Sequence, residues 1–537
     1  MAHGRNGIGP WVAALTVLAA MVGCTPLLPY RTEKPAISLT RQITENRSAD
    51  CALPAGADEN NVSGAVSQAC EHRIREDADR YHLYFTEFDD QGWAYPAAKP
   101  VYGDASDQIG IFVEEMQELL RNPQERISIV VFAHGWKHNA AAGDGNVKTF
   151  RKLLQDLATL EQVGSRCPRR VIGMYVGWRG DAVTVEPFKE LSFWNRKETA
   201  QRVAQGDVRV LFSHLRALQD NANIEWNRKT EAARSVAVRA SQSSAVGEAV
   251  QESPDPCEKR LRLSTAGHSF GGLIVYTSIA QALIRDVVDL QHAEQLQLAL
   301  PEKDRVRPVL QREGDLVVVV NPAIEATRLE PLYRAVVEAR QPRYHTPIFV
   351  SITSTDDWAT KDVFPIGRWL STRFDKYPAG SELNEKEANL FTFGHSQGFV
   401  THDLAVLANT ASQGVQADAP CAGWSPEVSY AERLRIEQVN LERFRSRLQA
   451  NQGDGRSVIA RTFCGLDTMQ LTARKSAEAW VGNSAIWNVS TSKPIVNDHN
   501  DFDNPRLLEV LRQLYLEADD RSFSSVRVKR STDAQNK

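Results

Sequence analysis

Leu261-Arg262-Leu263-Ser264-Thr265-Ala266-Gly267-His268-Ser269-Phe270-Gly271-Gly272 joins an apolar strand, 261–266, to a helical pattern over 273–284. A serine in Gly-x-Ser-x-Gly at such a turn stands on a strained elbow, where the flanking glycines leave room for its neighbours. The pentapeptide alone occurs often by chance. The strand before it and the helix after it make Ser269 the candidate nucleophile, with its hydroxyl exposed at the C-terminal edge of a sheet.

Working outward, further strands read as continuous apolar runs at 127–133, 171–176, 316–320, 348–353 and 486–490. Such runs mark a parallel sheet buried on both faces. Helical patterns at 147–160, 200–218 and 329–338 alternate with them, which predicts an α/β fold with a doubly wound, mostly parallel sheet. Before these, 81–88 and the turn Asp89-Asp90-Gln91-Gly92 predict a starting hairpin, and 109–120 a helix stopped at Asn122-Pro123. Residues 220–256 are polar and form a surface excursion. Residues 376–480 are a long insertion before the last strand, with an amphipathic charged helix near 430–448, of the kind that caps an active site. The domain is expected over 76–520, and 521–537 as a disordered tail.

Acyl transfer at a serine needs two amide donors for an oxyanion, an acid and a base. The Phe270 amide, directly after the nucleophile, supplies the first donor. Ile129-Val130-Val131-Phe132-Ala133-His134-Gly135-Trp136 is an apolar strand ending in a tight turn, and the Trp136 amide is the second candidate. His134 and His138, four apart, are alternatively a metal pair or solvated loop. The acid belongs at a strand end further along the sheet, where Ser354-Thr355-Asp356-Asp357-Trp358 lies. Asp357 is the choice, and Asp356 competes because one residue of register decides between them. The base comes last, and His499 follows the strand at 486–490. Gly394-His395-Ser396-Gln397-Gly398 is a second Gly-x-Ser-x-Gly. Chain order argues against it, because only one strand is expected after Ser396; His395 and His402 are the runner-up bases.

The chain of 537 residues carries 63 basic and 67 acidic residues, net charge −4, well mixed along its length. No basic stripe is present, so nucleic acid is not an expected partner. Arg5 precedes an apolar run over 11–22 that is too short to span a bilayer but fits a signal peptide, expected as 1–23. The run ends Ala19-Ala20-Met21-Val22-Gly23-Cys24, similar to a lipoprotein cleavage motif, so Cys24 is expected to be lipidated and to anchor the protein to a membrane of the cell envelope. Residues 24–75, mixed and polar, read as a tether. Cys51, Cys70, Cys167, Cys257, Cys421 and Cys464 remain, an even number in an exported chain, and disulfides are expected. Six cysteines allow 15 pairings, and the sequential one is a guess among them.

Phe132-Ala133-His134-Gly135-Trp136, Tyr175-Val176-Gly177-Trp178-Arg179-Gly180, Gly267 to Gly272, Asn321-Pro322-Ala323, Asp357-Trp358-Ala359 and His499 together resemble the bacterial α/β-hydrolase family of esterase and lipase-like proteins, over roughly residues 80–517. The resemblance implies nucleophile, acid and base roles for Ser269, Asp357 and His499, and it does not imply a substrate. Such machinery needs neither metal nor organic cofactor, and a small-molecule or lipid ester is the expected substrate. No protein partner is expected. A non-catalytic envelope lipoprotein that uses the fold as a binding scaffold, and a metal-dependent hydrolase using His134, His138 and the carboxylates near His499, are the alternatives.

Overall fold

The computed structural model describes residues 27–47, 51, 70–96, 107–164, 167–181, 193–229, 256–299, 301, 314–339, 347–377, 385–407, 421, 461–474 and 485–518, with 432, 435, 436 and 439. Among them, eleven strands form one sheet. They are β1 (Arg75–Asp77), β2 (Tyr81–Phe88), β3 (Ile127–Ala133), β4 (Arg170–Trp178), β5 (Leu261–His268), β6 (Leu316–Val320), β7 (Phe349–Ser354), β8 (His402–Val406), β9 (Arg461–Phe463), β10 (Met469–Ala473) and β11 (Ile486–Thr491). Their order is β1-β2-β4-β3-β5-β6-β7-β11-β8-β10-β9. From β2 to β8 every neighbouring pair is parallel; β1 at one edge and β10 and β9 at the other run antiparallel.

Helices cover both faces. They are α1 (Leu39–Thr44), α2 (Gln108–Leu120), α3 (Gly145–Gly164), α4 (Phe193–Gln205), α5 (Val208–Ala222), α6 (Phe270–Leu298), α7 (Ala326–Ala339), α8 (Phe364–Thr372), α9 (Glu385–Leu390) and α10 (Pro505–Ala518). On one face Phe112, Val203, Leu211, Ile274 and Leu329 pack with Ile129, Val131, Leu263 and Val317 of the strands. On the other, Phe150, Leu154 and Leu507 pack with Val130, Phe132, Val318 and Val350. Alternate residues of one strand serve opposite faces. Both faces are therefore apolar, which is why the central strands read as unbroken apolar runs.

The structure departs from the sequence reading in four places. The helix expected over 200–218 is two, because the chain turns at Gly206 to set the Asp207 N–H on the Gly92 carbonyl at 2.8 Å. The starting hairpin is reduced to a single bridge, Phe88 to Ala94; β2 instead pairs with β1 before it and lies parallel to β4. Where it is described, the tether over 24–75 packs on the domain: Leu39 and Arg31 are fully buried, and Arg31 pairs with Glu76 at 2.9 Å. The insertion over 376–480 contributes β8, β9 and β10, so the sheet continues past β11. The expected signal peptide with Cys24, most of 220–256, most of the charged helix near 430–448 and the tail over 521–537 lie outside the described residues. Disulfides join Cys51 to Cys70, Cys167 to Cys257 and Cys421 to Cys464, the sequential pairing.

Candidate active site

β5 delivers Ser269 at its C-terminal end, and α6 starts at the next residue. The turn is tight enough to force Ser269 to φ 55°, a left-handed conformation that costs a side-chain-bearing residue on the order of 1–2 kcal/mol. Its N–H donates to the Val320 carbonyl at 3.0 Å, which holds the elbow against β6. Gly271 permits the helix to press on β3, since a Cβ there would stand 1.9 Å from the Ala133 carbonyl oxygen.

Three segments far apart in the chain meet at this elbow. His499 Nε2 lies 2.7 Å from Ser269 Oγ, and His499 Nδ1 lies 2.8 Å from Asp357 Oδ2. With Nδ1 protonated toward the carboxylate, Nε2 is free to accept the hydroxyl proton. Asp357 is held in turn: its Oδ1 accepts the Ala359 N–H at 2.9 Å, and its Oδ2 accepts the Thr360 hydroxyl at 2.5 Å. Burial pushes the Asp357 carboxyl up, but the His499 ring and the Thr360 hydrogen bonds outweigh it and hold the group below its usual range, as a carboxylate. Asp356 points elsewhere, with Oδ2 accepting the Lys493 N–H at 2.9 Å. The choice left open by one residue of register thus falls, in geometry, on Asp357.

A supporting set fixes the His499 loop. Asn321, itself at φ 46°, donates through Nδ2 to the carbonyls of Asp498 and His499, each at 3.1 Å, while its Oδ1 accepts the Ser354 N–H at 2.9 Å. His268 Nε2 donates to the same His499 carbonyl at 2.6 Å. Desolvation, with the neighbouring His499 second, pushes His268 down to about 3, so the ring is neutral and a pure donor there. The sequence places Asn321 and His268 beside recognisable motifs, but nothing in their spacing signals these contacts.

The proposed amide donors flank the elbow. Phe270 is the first residue of α6, where N–H groups precede the helix's own hydrogen bonding. The loop bearing Trp136 passes directly over the serine, since a Cβ on Gly135 would stand 2.9 Å from that of Ser269. Ser269 has no exposed surface, whereas the sequence reading expected an open elbow.

The histidines weighed as metal ligands are engaged by protein. His134 accepts the Trp178 N–H at Nε2, 3.0 Å, and Nδ1 donates to the Gly135 carbonyl at 2.9 Å. Burial pushes it down to about 4, a neutral ring that braces the loop. His138 lies against Asp144 at 3.1 Å and Asn146 at 3.1 Å. Among the described residues no three His, Cys, Asp or Glu side chains gather as a metal would require.

At the second Gly-x-Ser-x-Gly the geometry differs. Ser396 has φ −88° and leads into a short 3-10 turn, Gln397–Phe399, so no elbow forms. Among the described residues four strands follow it, not one, so the absence of an elbow distinguishes the two serines where strand count does not. His395 contacts the site through Thr360, with Nε2 3.0 Å from Thr360 Oγ1. His402 faces the Thr401 hydroxyl at 2.8 Å and the Trp487 ring. No protein-family model, no curated protein and no solved structure matches the chain.

Proposed function

We propose that this chain is a serine hydrolase of α/β-hydrolase type that cleaves carboxylic esters through an acyl-enzyme. The observation that carries the reading is one imidazole, His499, within hydrogen-bond reach of both Ser269 Oγ and Asp357 Oδ2. In the proposed reaction Ser269 Oγ attacks the acyl carbon as His499 Nε2 takes its proton. Asp357 keeps Nδ1 protonated and stabilises the ring's positive charge. The Phe270 and Trp136 amides receive the oxyanion. Collapse breaks the bond to the alcohol oxygen, and His499 returns the proton to that leaving group. Water then adds to the acyl carbon with His499 again as base; collapse breaks the bond to Ser269 Oγ, His499 returns the proton to that oxygen, and the acid is released.

A fluorophosphonate probe phosphonylates serines activated in this manner. Peptide mapping is expected to find it on Ser269; a probe found on Ser396, or bound nowhere, would remove the proposal. For localisation the reading rests on the segment ending in Gly23-Cys24, which supports export and lipid attachment at Cys24. Mass spectrometry of the membrane fraction should find a diacylglyceryl-modified Cys24 as the first residue. An unmodified cysteine, or a different start, refutes the anchor.

A further inference from the structure

Four of the exposed large apolar side chains among the described residues fall within nine residues, on and just past α8. α8 turns Phe364, Gly367 and Arg368 inward: Phe364 is buried, a Cβ on Gly367 would strike the Trp194 ring, and Arg368 Nε donates to the Asn389 carbonyl at 3.1 Å. The opposite face carries Ile366, Trp369 and Leu370, followed by Phe374 just past the helix end; they are 62%, 57%, 55% and 81% exposed. Their spacing puts them in one stripe. Trp358, half exposed beside Asp357, opens the helical turn Ala359–Val363 that runs into α8. A contiguous patch of this kind marks an interaction face.

The entry of the chain supplies an independent observation. The N–H groups of Tyr30 and Arg31 donate to the Glu87 carboxylate at 3.0 and 2.7 Å. The Arg31 guanidinium donates to the Ala140 carbonyl at 2.9 Å and lies over the Phe85 ring. Glu87 stands one residue before the end of β2, and Ala140 lies in the loop after β3, so this clasp sits at the C-terminal edge of the sheet, where Ser269 sits too. In strand order β2 is three places to one side of β5, and β7, from which Trp358 and α8 emerge, is two places to the other. Those offsets are roughly 14 and 10 Å. From Cys24 to Tyr30 an extended chain reaches at most about 20 Å. Leu27 and Leu28, on that short span, are exposed.

We infer that the C-terminal edge of the sheet docks on a lipid bilayer, with Ile366, Trp369, Leu370 and Phe374 in the interface and Ser269 facing the membrane. The stripe enters the headgroup region as an amphipathic helix does, and the clasp allows a lipid on Cys24 to hold the same edge down. The ester then comes from lipid embedded in the membrane. This deepens the proposed hydrolase reading and rests on it for the substrate class; the choice of a bilayer as occupant rests instead on the lipid proposed at Cys24.

The processed full-length protein is mixed with vesicles of phosphatidylcholine and phosphatidylglycerol that carry brominated acyl chains, and tryptophan fluorescence is read. Quenching is expected, and Trp369→Phe should remove a large part of it. The double variant Trp369→Asp, Leu370→Asp should hydrolyse a soluble short-chain aryl ester at the wild-type rate, and a vesicle-borne ester about tenfold more slowly. Absent quenching, quenching that Trp369→Phe leaves unchanged, or a stripe found buried in a solution dimer that the double variant dissociates, would overturn the docking. The quenching decides the matter even for a protein that hydrolyses neither ester, an outcome that counts against the role of Ser269 alone.

Discussion

At the residue scale the site separates two adjacent carboxylates by their partners. Asp357 faces the imidazole and is braced by Thr360, whereas Asp356 caps the Lys493 turn. Asp357→Asn removes the acceptor that holds His499 in the reactive tautomer, so kcat for an aryl ester should fall by about 10⁴-fold. Asp356→Asn should leave kcat within a few-fold of wild type. Equal losses in steady-state assays would dissolve the distinction. The buried neutral histidines carry a second prediction. His134 and His268 are pushed down to about 4 and about 3 in the fold, and in the unfolded chain they titrate near 6.5. Their contribution is full above pH 6.5 and declines as the pH falls below it, because only the unfolded chain takes up the protons. Glu87 acts oppositely: burial raises it to about 7, so its penalty lessens on acidification. His395 is also held down by burial, while Asp156 and Asp286 are raised by it, so the rings are followed one by one rather than through total stability. Histidine ring proton resonances recorded from pH 7 to pH 5 should show no titration of His134 or His268, and a midpoint near 6.5 for either would show that it is not held neutral.

At the element scale, legibility followed burial. The six central strands β3, β4, β5, β6, β7 and β11 are apolar on both faces, and their runs mark them to within a residue or two. β8 alternates buried and exposed positions over five residues, and β9 spans three, so neither produces a run long enough to stand out. Their omission made the insertion look like a cap and made strand count a poor argument against Ser396. The break between α4 and α5 depends on the Gly92 carbonyl more than 100 residues away in the chain, which no local pattern encodes. The same contrast holds in the site. Ser269, Asp357 and His499 were legible because each ends or follows a readable strand. Asn321, His268 and Thr360 act through contacts between segments, and Arg31 lies in a stretch whose composition reads as linker although its guanidinium is buried.

At the scale of the whole molecule, the parallel sheet is the frame that brings residues 269, 357 and 499 to one edge. Parallel register sets the ends of β5, β7 and β11 side by side, and the loop after β11 reaches back past β7 and β6 to put His499 on the serine. With charge well mixed along the chain, the proposed docking would rest on the apolar stripe and the short N-terminal span rather than on the molecule's net field. The central claim is that these three residues act as a unit built on the Ser269 elbow. Turnover of a soluble aryl ester by Ser269→Ala, His499→Ala, the double variant and Ser396→Ala tests it most directly. The account predicts losses of several orders of magnitude for the first two, no further loss in the double variant, and nearly full activity in Ser396→Ala. Losses that multiply in the double variant, or activity abolished by Ser396→Ala and kept by Ser269→Ala, would contradict it.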